Sequence, residues 1–257
     1  MEEFRSASKT GFDYQMETPV QSRLSRSMSV KPGSLISSSS HIEYSFMFSG
    51  TMINNETGIT VAHPLMVGQK VMTVRDQSQN VRRVIGQCCE KHEEVRVEDR
   101  TFTVDMAVLT LRRGFRVQRN FVWHNGREFP VKIYRRKILE KTKVMVLDQN
   151  GVFQYGIIRR VDLNDRKPWN NLHNVFGIEK EDSQEAITDE GDSGALVLSV
   201  PSQTDDVLYV YGIVISIYYE EDRETPDHEN SLTIANSLGV IIPEVFKGRQ
   251  PDAIDFM

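Results

Sequence analysis

From Tyr44 onward the chain consists mainly of short runs of β-branched and aromatic residues separated by turn-forming residues, a pattern typical of an all-β fold. The first set of predicted strands covers 44–53, 59–62, 70–74, 82–86, 94–97 and 106–111. The second set covers 131–134, 144–147, 156–161, 195–199 and 207–218. The stretch 115–128 is expected to link the two sets, and the polar stretch 162–192 to form a long loop. Long loops in compact domains often carry function.

The two ends of the chain do not follow the strand pattern. Residues 1–42 are rich in serine and poor in apolar clusters, so they bury too little surface to offset chain entropy, and we expect a disordered tail. Apolar residues in 232–246 recur at helical spacing, which predicts a closing helix that has to accommodate Pro243. The predicted organisation is therefore a tail at 1–42, one folded unit at 43–247, and a short C-terminal tail at 248–257.

Composition narrows the class of protein. Hydrophobic residues make up 39% and charged residues 26% of the chain, as in ordinary globular proteins. The net charge of −5 and the lack of a basic stripe with interleaved aromatics give no reason to expect a nucleic-acid partner. No run is apolar enough to predict a membrane span or a signal peptide. The two cysteines, Cys88 and Cys89, are adjacent and cannot staple distant parts of the fold, which favours a reducing compartment, cytoplasmic or nuclear.

The spacing of the histidines and cysteines does not predict a metal site. With the two cysteines, the histidines show none of the paired spacings of a zinc site, and we expect no metal and no cofactor. Apart from His63, the histidines lie in polar stretches where solvation is expected; they are His41, His92, His124, His173 and His228.

The candidate chemistry is concentrated in Gly191-Asp192-Ser193-Gly194, which follows an acidic run and precedes an apolar strand. The two glycines allow a tight backbone bend without a Cβ in the way. Such a bend would present the Ser193 hydroxyl beside the backbone N–H groups of Gly191 and Ser193. A serine nucleophile needs an imidazole base, a carboxylate that orients the base, and donors for the oxyanion. A plain surface turn is the alternative interpretation, since Asp, Ser and Gly are common turn residues.

Three further stretches occur in an order that extends this motif. The segments 49–53 and 59–63 resemble the strand and Thr-Ala-Ala-His element of the trypsin/chymotrypsin-like serine peptidases, and 103–109 resembles the Asp-Ile-Ala-Leu-Leu strand of the same family. Residues 191–194 match the family's nucleophile motif without a change, and 211–214 is similar to the strand that lines its substrate cleft. The resemblance covers about residues 43 to 247.

The resemblance implies two six-stranded antiparallel β-barrels with a C-terminal helix and an active site between the barrels. It assigns Ser193 as nucleophile, His63 as general base and then acid, and Asp105 as the residue that fixes the His63 tautomer. The backbone amides of Gly191 and Ser193 would form the oxyanion hole. Protein or peptide substrates are implied, with no metal or cofactor. Asp99 is a rival for the role of Asp105, but only Asp105 is followed by the expected apolar run.

The chain departs from the family pattern in four places. Pro64 stands where a cysteine usually follows the histidine, and no framework disulfide is available. No activation sequence precedes the first barrel, so Asp192 has no obvious partner. The implied specificity pocket would contain Ile187, Ser216 and Tyr218. Ile187 cannot pair a lysine or arginine side chain, which argues against trypsin specificity, and the strand after Val214 is one residue out of step with the family pattern.

These departures leave several functional hypotheses open. The leading one is a serine endopeptidase whose site is either preformed or ordered by a regulatory protein partner acting on the loop 182–192. A second is a catalytically inactive pseudo-protease that binds other proteins, because fold alone does not determine function. A third is a serine esterase that uses the same three residues.

Overall fold

The structure is a computed structural model that describes residues 34–38, 47–52, 57–73, 84–112, 121–148, 151–161, 163, 174–189, 191–219 and 231–248. Within these residues the protein is all-β, with fourteen strands and one helix close to the C-terminal end. No helix among them is long and apolar enough to cross a bilayer.

The first six strands form a closed antiparallel barrel in the order β1-β2-β3-β6-β5-β4, with β1 pairing β4 to close it. Their bounds are β1 Ser34–Ser38, β2 Met47–Met52, β3 Thr57–Thr60, β4 Lys70–Thr73, β5 Val84–Val97 and β6 Arg100–Leu111. Alternation of side chains across each strand directs one face into the barrel. Ile36, Ile59 and Met106 are fully buried there.

The other eight strands form one sheet in the order β12-β9-β10-β11-β14-β13-β8-β7, and β12 also pairs with β13. Their bounds are β7 Phe121–His124, β8 Arg127–Ile133, β9 Lys143–Leu147, β10 Phe153–Val161, β11 Val175–Glu179, β12 Leu196–Ser199, β13 Leu208–Tyr219 and β14 Ser231–Ser237. Pairing is antiparallel except between β13 and β8, which run parallel.

Buried residues alternate between two clusters along the central strands of this sheet. In β9, Val144 and Val146 belong to one cluster, while Met145 belongs to the large cluster that continues into the first barrel. The same alternation occurs in β12, where Leu196 and Val197 lie in different clusters. These strands are therefore buried on both faces, which explains their continuous apolar sequence.

The closing helix predicted for 232–246 is half wrong. Residues 231–237 form strand β14, and only Leu238–Val245 form the helix, α1. Every residue from Ser231 to Asn236 is buried, because β14 pairs with β11 on one side and β13 on the other. Apolar residues on both faces look the same in a buried strand as in a buried helix, so spacing could not separate the two. Pro243 is accommodated inside α1.

Three other boundaries differ from the sequence predictions. Strand β1 lies inside the segment assigned to the tail, so the barrel begins by Ser34 rather than at 43; the rest of that tail lies outside the described residues. Fully buried Ile36 explains why this serine-rich stretch joins the barrel. Strand β11 lies inside the predicted loop 162–192, and all five of its residues are buried. The predicted linker 115–128 also contains strand β7 and the first two residues of β8.

Candidate active site

His63 and Asp105, which the resemblance assigns as general base and orienting carboxylate, are in direct contact. The Nδ1 atom of His63 lies 2.6 Å from Oδ2 of Asp105. The other carboxylate oxygen, Oδ1, accepts the backbone N–H of His63 at 2.9 Å and that of Ala62 at 2.8 Å. The carboxylate is thus held by three donors, while the His63 side chain remains 52% exposed. This arrangement leaves Nε2 as the imidazole nitrogen that can face a substrate.

Strand register explains why the two residues meet. Strand β3 pairs with β6 so that Thr60 lies opposite Ala107. Continuing that register brings Asp105 opposite Ala62, the residue before His63. The chain then turns away, with Leu65 donating its backbone N–H to the Ala62 carbonyl at 3.0 Å. Buried Ala62 and Leu65 anchor this turn and leave His63 at the surface.

Asn236 is a site residue that the sequence analysis missed. It lies in β14, is 1% exposed, and its Oδ1 accepts the Asp105 backbone N–H at 2.9 Å. Its Nδ2 donates to the Thr103 carbonyl at 3.2 Å. No sequence signal pointed to it, because the predicted helix over 232–246 removed it from consideration and it is distant from Asp105 in the chain.

The Ser193 loop is a tight bend, as expected for this motif. Gly191 and Gly194 both have positive φ values, 98° and 87°, which residues with a Cβ adopt at a cost. The bend is attached to β13 by two hydrogen bonds: Gly194 N–H to the Val214 carbonyl at 2.7 Å, and Val214 N–H to the Ala195 carbonyl at 2.9 Å. Ser193 itself is half-buried.

Asp192 has a partner within its own loop, which the sequence analysis did not anticipate. The side chain is 2% exposed, and Oδ2 accepts the backbone N–H of Asp189 at 2.9 Å. The Asp192 N–H in turn donates to the Asp189 carbonyl at 3.2 Å, and Ala195 N–H donates to the Asp192 carbonyl at 2.8 Å. The loop is therefore held by contacts inside the chain.

The backbone N–H groups of the bend divide into two kinds. Those of Asp192, Gly194 and Ala195 each have a backbone acceptor. Those of Gly191 and Ser193 have no acceptor among the described residues. These two N–H groups, for which the described residues provide no acceptor, are the two donors that the resemblance assigns to an oxyanion hole.

Ser193 and the His63–Asp105 pair are attached to the same part of the second sheet. Asn236, which bonds the Asp105 backbone, lies opposite Ile213 of β13. The next residue, Val214, holds the Ser193 bend. Across the described residues, no hydrogen bond joins the Ser193 hydroxyl to the His63 ring.

The three residues expected in a specificity pocket occupy different environments. Ile187 is 4% exposed and packs in the cluster with Val144, Ile158 and Phe176. Ser216 is half-buried and donates to the Ile217 carbonyl at 3.2 Å. The half-buried Tyr218 packs against the cluster that contains Leu232.

Strand β13 has an irregularity in its pairing with β14 between Val214 and Ser216. Val214 pairs with Ala235, but Ser216 pairs with Ile234, so Ile215 is an extra residue in β13. Such a β-bulge bends the strand and changes which side chains face each side. The one-residue offset after Val214 in the sequence coincides with this bulge.

Two of the remaining histidines lie in the described part of the chain, and one of them contradicts the prediction of solvation. His124 is 8% exposed, and its Nε2 lies 2.7 Å from the Tyr155 hydroxyl. His92 is half-buried beside Glu90. The described residues contain no group of three or more His, Cys, Asp or Glu side chains placed to hold a metal ion.

Comparison with known proteins adds no family assignment. None of the protein-family models matches the chain, and no curated protein is significantly similar to it.

Proposed function

We propose that this protein is a serine endopeptidase that uses Ser193, His63 and Asp105 and passes through an acyl-enzyme intermediate. The observation that carries the proposal is the contact between His63 Nδ1 and a carboxylate already held by two backbone donors. Because a carboxylate oxygen accepts hydrogen bonds, its contact with Nδ1 favours the tautomer with the proton on Nδ1 and the lone pair on Nε2. That is the state a general base requires.

The proposed reaction follows from these groups. His63 Nε2 takes the proton of the Ser193 hydroxyl while Oγ forms a bond to the carbonyl carbon of the peptide. The electron pair moves to the carbonyl oxygen, which accepts hydrogen bonds from the N–H groups of Gly191 and Ser193. His63 then gives its proton to the leaving amine, and the C–N bond breaks. Water, deprotonated by His63, hydrolyses the acyl-enzyme and restores Ser193.

The N–H groups of Gly191 and Ser193, for which the described residues provide no acceptor, support the same proposal, because each donor to the oxyanion stabilises the transition state strongly. Removing one oxyanion donor from a serine peptidase typically costs about 2.7–4 kcal/mol of transition-state stabilisation. Gly191 and Ser193 provide these donors from the backbone, so the bend supplies them without reorganisation during the reaction. The positive φ of Gly191 is part of this bend.

The proposal includes a trypsin-like architecture in which the second sheet is also a barrel. Strands β12, β9, β10, β11, β14 and β13 are linked in a ring of pairings, since β12 pairs both β9 and β13. One buried cluster has members from all six strands, as expected of a barrel interior. These members include Val146, Ile158, Phe176, Val197, Tyr211 and Ala235.

A pseudo-protease that binds other proteins is the second candidate. It is favoured by the absence, among the described residues, of a hydrogen bond between Ser193 and His63. This observation does not exclude catalysis, because catalytic hydrogen bonds are often long before substrate binds. An esterase is distinguished by turnover of small esters without turnover of peptides.

Labelling with a fluorophosphonate probe tests the proposal. We expect the protein to be labelled, and Ser193→Ala and His63→Ala to abolish labelling. Ser202→Ala and His92→Ala are matched controls and should label normally, because Ser202 lies in an exposed turn and His92 is paired with Glu90. A folded wild-type protein that neither labels nor cleaves peptides, whether alone or with cellular partners added, would overturn the proposal in favour of a binding protein.

We further propose a cytoplasmic or nuclear location and a loop 182–192 that serves as the regulated element. Adjacent Cys88 and Cys89, both free thiols, support a reducing compartment. A regulatory protein partner would act on this loop, because it carries Gly191, one of the two assigned oxyanion donors, and directly precedes Ser193, which provides the other. Equal peptidase activity with and without cellular partners would contradict regulation at the loop.

A further inference from the structure

Asn236 occupies an unusual position, because a single side chain contacts the backbone on both sides of Val104 in another sheet. Its Oδ1 accepts the Asp105 N–H at 2.9 Å, and its Nδ2 donates to the Thr103 carbonyl at 3.2 Å. The residues lie in β14 and β6, in different sheets. The carboxamide therefore ties the strand that carries Asp105 to the sheet that holds Ser193.

The two hydrogen bonds of the Asn236 side chain require one orientation of its amide group and favour an asparagine at this position. An N–H group has to face an oxygen, and a carbonyl has to face a donor, so the amide can fit in only one orientation. An aspartate at this position could accept from Asp105 N–H but would place an oxygen against the Thr103 carbonyl. A leucine would match the shape but leave both backbone groups unpaired at a site where Asn236 is 1% exposed. Buried polar groups left without partners are costly.

The backbone of Asn236 is also fixed on both sides. It lies opposite Val175 of β11 and opposite Ile213 of β13. Gly212, the residue before Ile213, lies so close to the Asn236 carbonyl that a Cβ on Gly212 would collide with it. The amide group therefore projects from a rigid part of the second sheet.

We infer that Asn236 is a positioning residue that sets the direction of the Asp105 carboxylate and, through it, the imidazole of His63. The inference rests on the proposed function. Asn236 holds the Asp105 backbone from the second sheet, while the Ala62 and His63 N–H groups hold its carboxylate from the first barrel. Loss of the amide releases one of these two restraints. The neighbouring strand segment at Val214 holds Ser193, so the same amide fixes the His63–Asp105 pair relative to the nucleophile.

The test compares Asn236→Leu and Asn236→Asp with a matched control, Asn174→Leu. Asn174 is also buried, and its Nδ2 donates to the Ser237 carbonyl at 2.7 Å, but it bonds within the second sheet. All variants are made in the full chain, with and without Ser193→Ala. Thermal unfolding and circular dichroism identify variants that fail to fold, and Asn236→Asp keeps one of the two hydrogen bonds if Asn236→Leu fails.

The primary readout is the low-field proton resonance of a His63 Nδ1–H hydrogen-bonded to Asp105, recorded on the Ser193→Ala background. We expect the signal in the parent and in Asn174→Leu, and its loss or broadening in both Asn236 variants. The second readout is the rate of fluorophosphonate labelling, which we expect to fall about 10- to 100-fold in the Asn236 variants, the range typical of losing a hydrogen-bond partner that orients a metal ligand. Asn174→Leu should label at the parent rate.

The two proposals fail in different ways. A parent protein with an Asn236-dependent resonance but no labelling overturns the peptidase proposal and retains the positioning role. A labelled parent whose resonance and labelling rate survive in folded Asn236→Leu and Asn236→Asp overturns the positioning role and retains the peptidase proposal.

Discussion

His63 and Asp105 are joined by two hydrogen bonds, one from the His63 backbone N–H to Oδ1 at 2.9 Å and one between Nδ1 and Oδ2 at 2.6 Å. The pair therefore has little freedom to rotate, because both the main chain and the ring of His63 address the same carboxylate. A histidine that merely lay near an acid would lack the backbone contact. Replacing one carboxylate oxygen of Asp105 by an amide group therefore tests what that oxygen does.

We expect Asp105→Asn to reduce fluorophosphonate labelling and peptide turnover by about 10⁴-fold, as for the equivalent change in other triads. Oδ1 would still accept the backbone N–H groups of Ala62 and His63. The amide NH₂ would then face Nδ1 and place the imidazole proton on Nε2, so the ring could not take a proton from Ser193. Rates measured near neutral pH with a folded variant provide the check.

Asp99→Asn is the control for this change. Asp99 is exposed in the turn between β5 and β6, and it was the rival candidate in the sequence. It should leave labelling unchanged. Wild-type rates in Asp105→Asn, or a comparable loss in Asp99→Asn, would contradict the assignment.

Asp192 and Asp205 make the same local contacts in different surroundings. Asp192 Oδ2 accepts the backbone N–H of Asp189 at 2.9 Å, and Asp205 Oδ2 accepts that of Ser202 at 2.6 Å. In addition, the backbone N–H of Asp192 donates to the Asp189 carbonyl, and that of Asp205 donates to the Ser202 carbonyl. Only Asp192 is buried and adjacent to Ser193. We expect Asp192→Ala to lower the free energy of unfolding by about 1.5–3 kcal/mol, because a buried charged acceptor is lost. It should also reduce labelling of Ser193.

Asp205→Ala removes the matched contact from an exposed turn and should alter neither stability nor labelling measurably. Urea unfolding and probe labelling of both variants give the comparison. Normal labelling in Asp192→Ala would show that the loop is ordered by something other than this carboxylate. Equal effects of the two substitutions on stability and labelling would contradict a special role of Asp192 in ordering the Ser193 loop.

Local sequence patterns were enough to predict that His63 and Asp105 lie together, but not which residues support them. His63 and Asp105 each follow or lie within a strand with a clear apolar pattern, and strand pairing does bring them together. Asn236 could not be found in this way. Its role depends on a contact 131 positions away in the chain, and its own strand is buried on both faces. The same two-sided burial hid β11 in a predicted loop.

Burial raises the pKa of the Cys88 thiol, with the adjacent Cys89 as a second cause. The pKa of the thiol in the unfolded chain is about 8.5, whereas the folded thiol stays protonated to higher pH. The raised pKa of Cys88 therefore makes its full contribution to the free energy of unfolding below about pH 8.5. This contribution is lost as pH rises, because ionisation of the thiol favours the unfolded chain. We expect the free energy of unfolding to fall more steeply between about pH 8 and 10 in the wild type than in Cys88→Ala. Denaturant titrations across that range measure the difference, and Cys89→Ala should keep most of the slope; parallel curves for wild type and Cys88→Ala would contradict the prediction.

Ile187 sits where the resemblance places the base of a specificity pocket, yet it is 4% exposed and lies in the core of the second sheet. Its backbone N–H donates to the Thr233 hydroxyl at 3.0 Å, and Gly156 is so close that a Cβ added to Gly156 would meet Ile187 Cγ2 at 2.8 Å.

We expect Ile187→Asp to lower the free energy of unfolding by at least about 3 kcal/mol, because it buries an unpaired carboxylate. Ile187→Val, the matched control, should cost only about 0.5–1.5 kcal/mol and leave substrate preference unchanged. Urea unfolding and a peptide library measure both properties. A stable Ile187→Asp variant that acquires cleavage after lysine or arginine would show instead that Ile187 faces an open pocket.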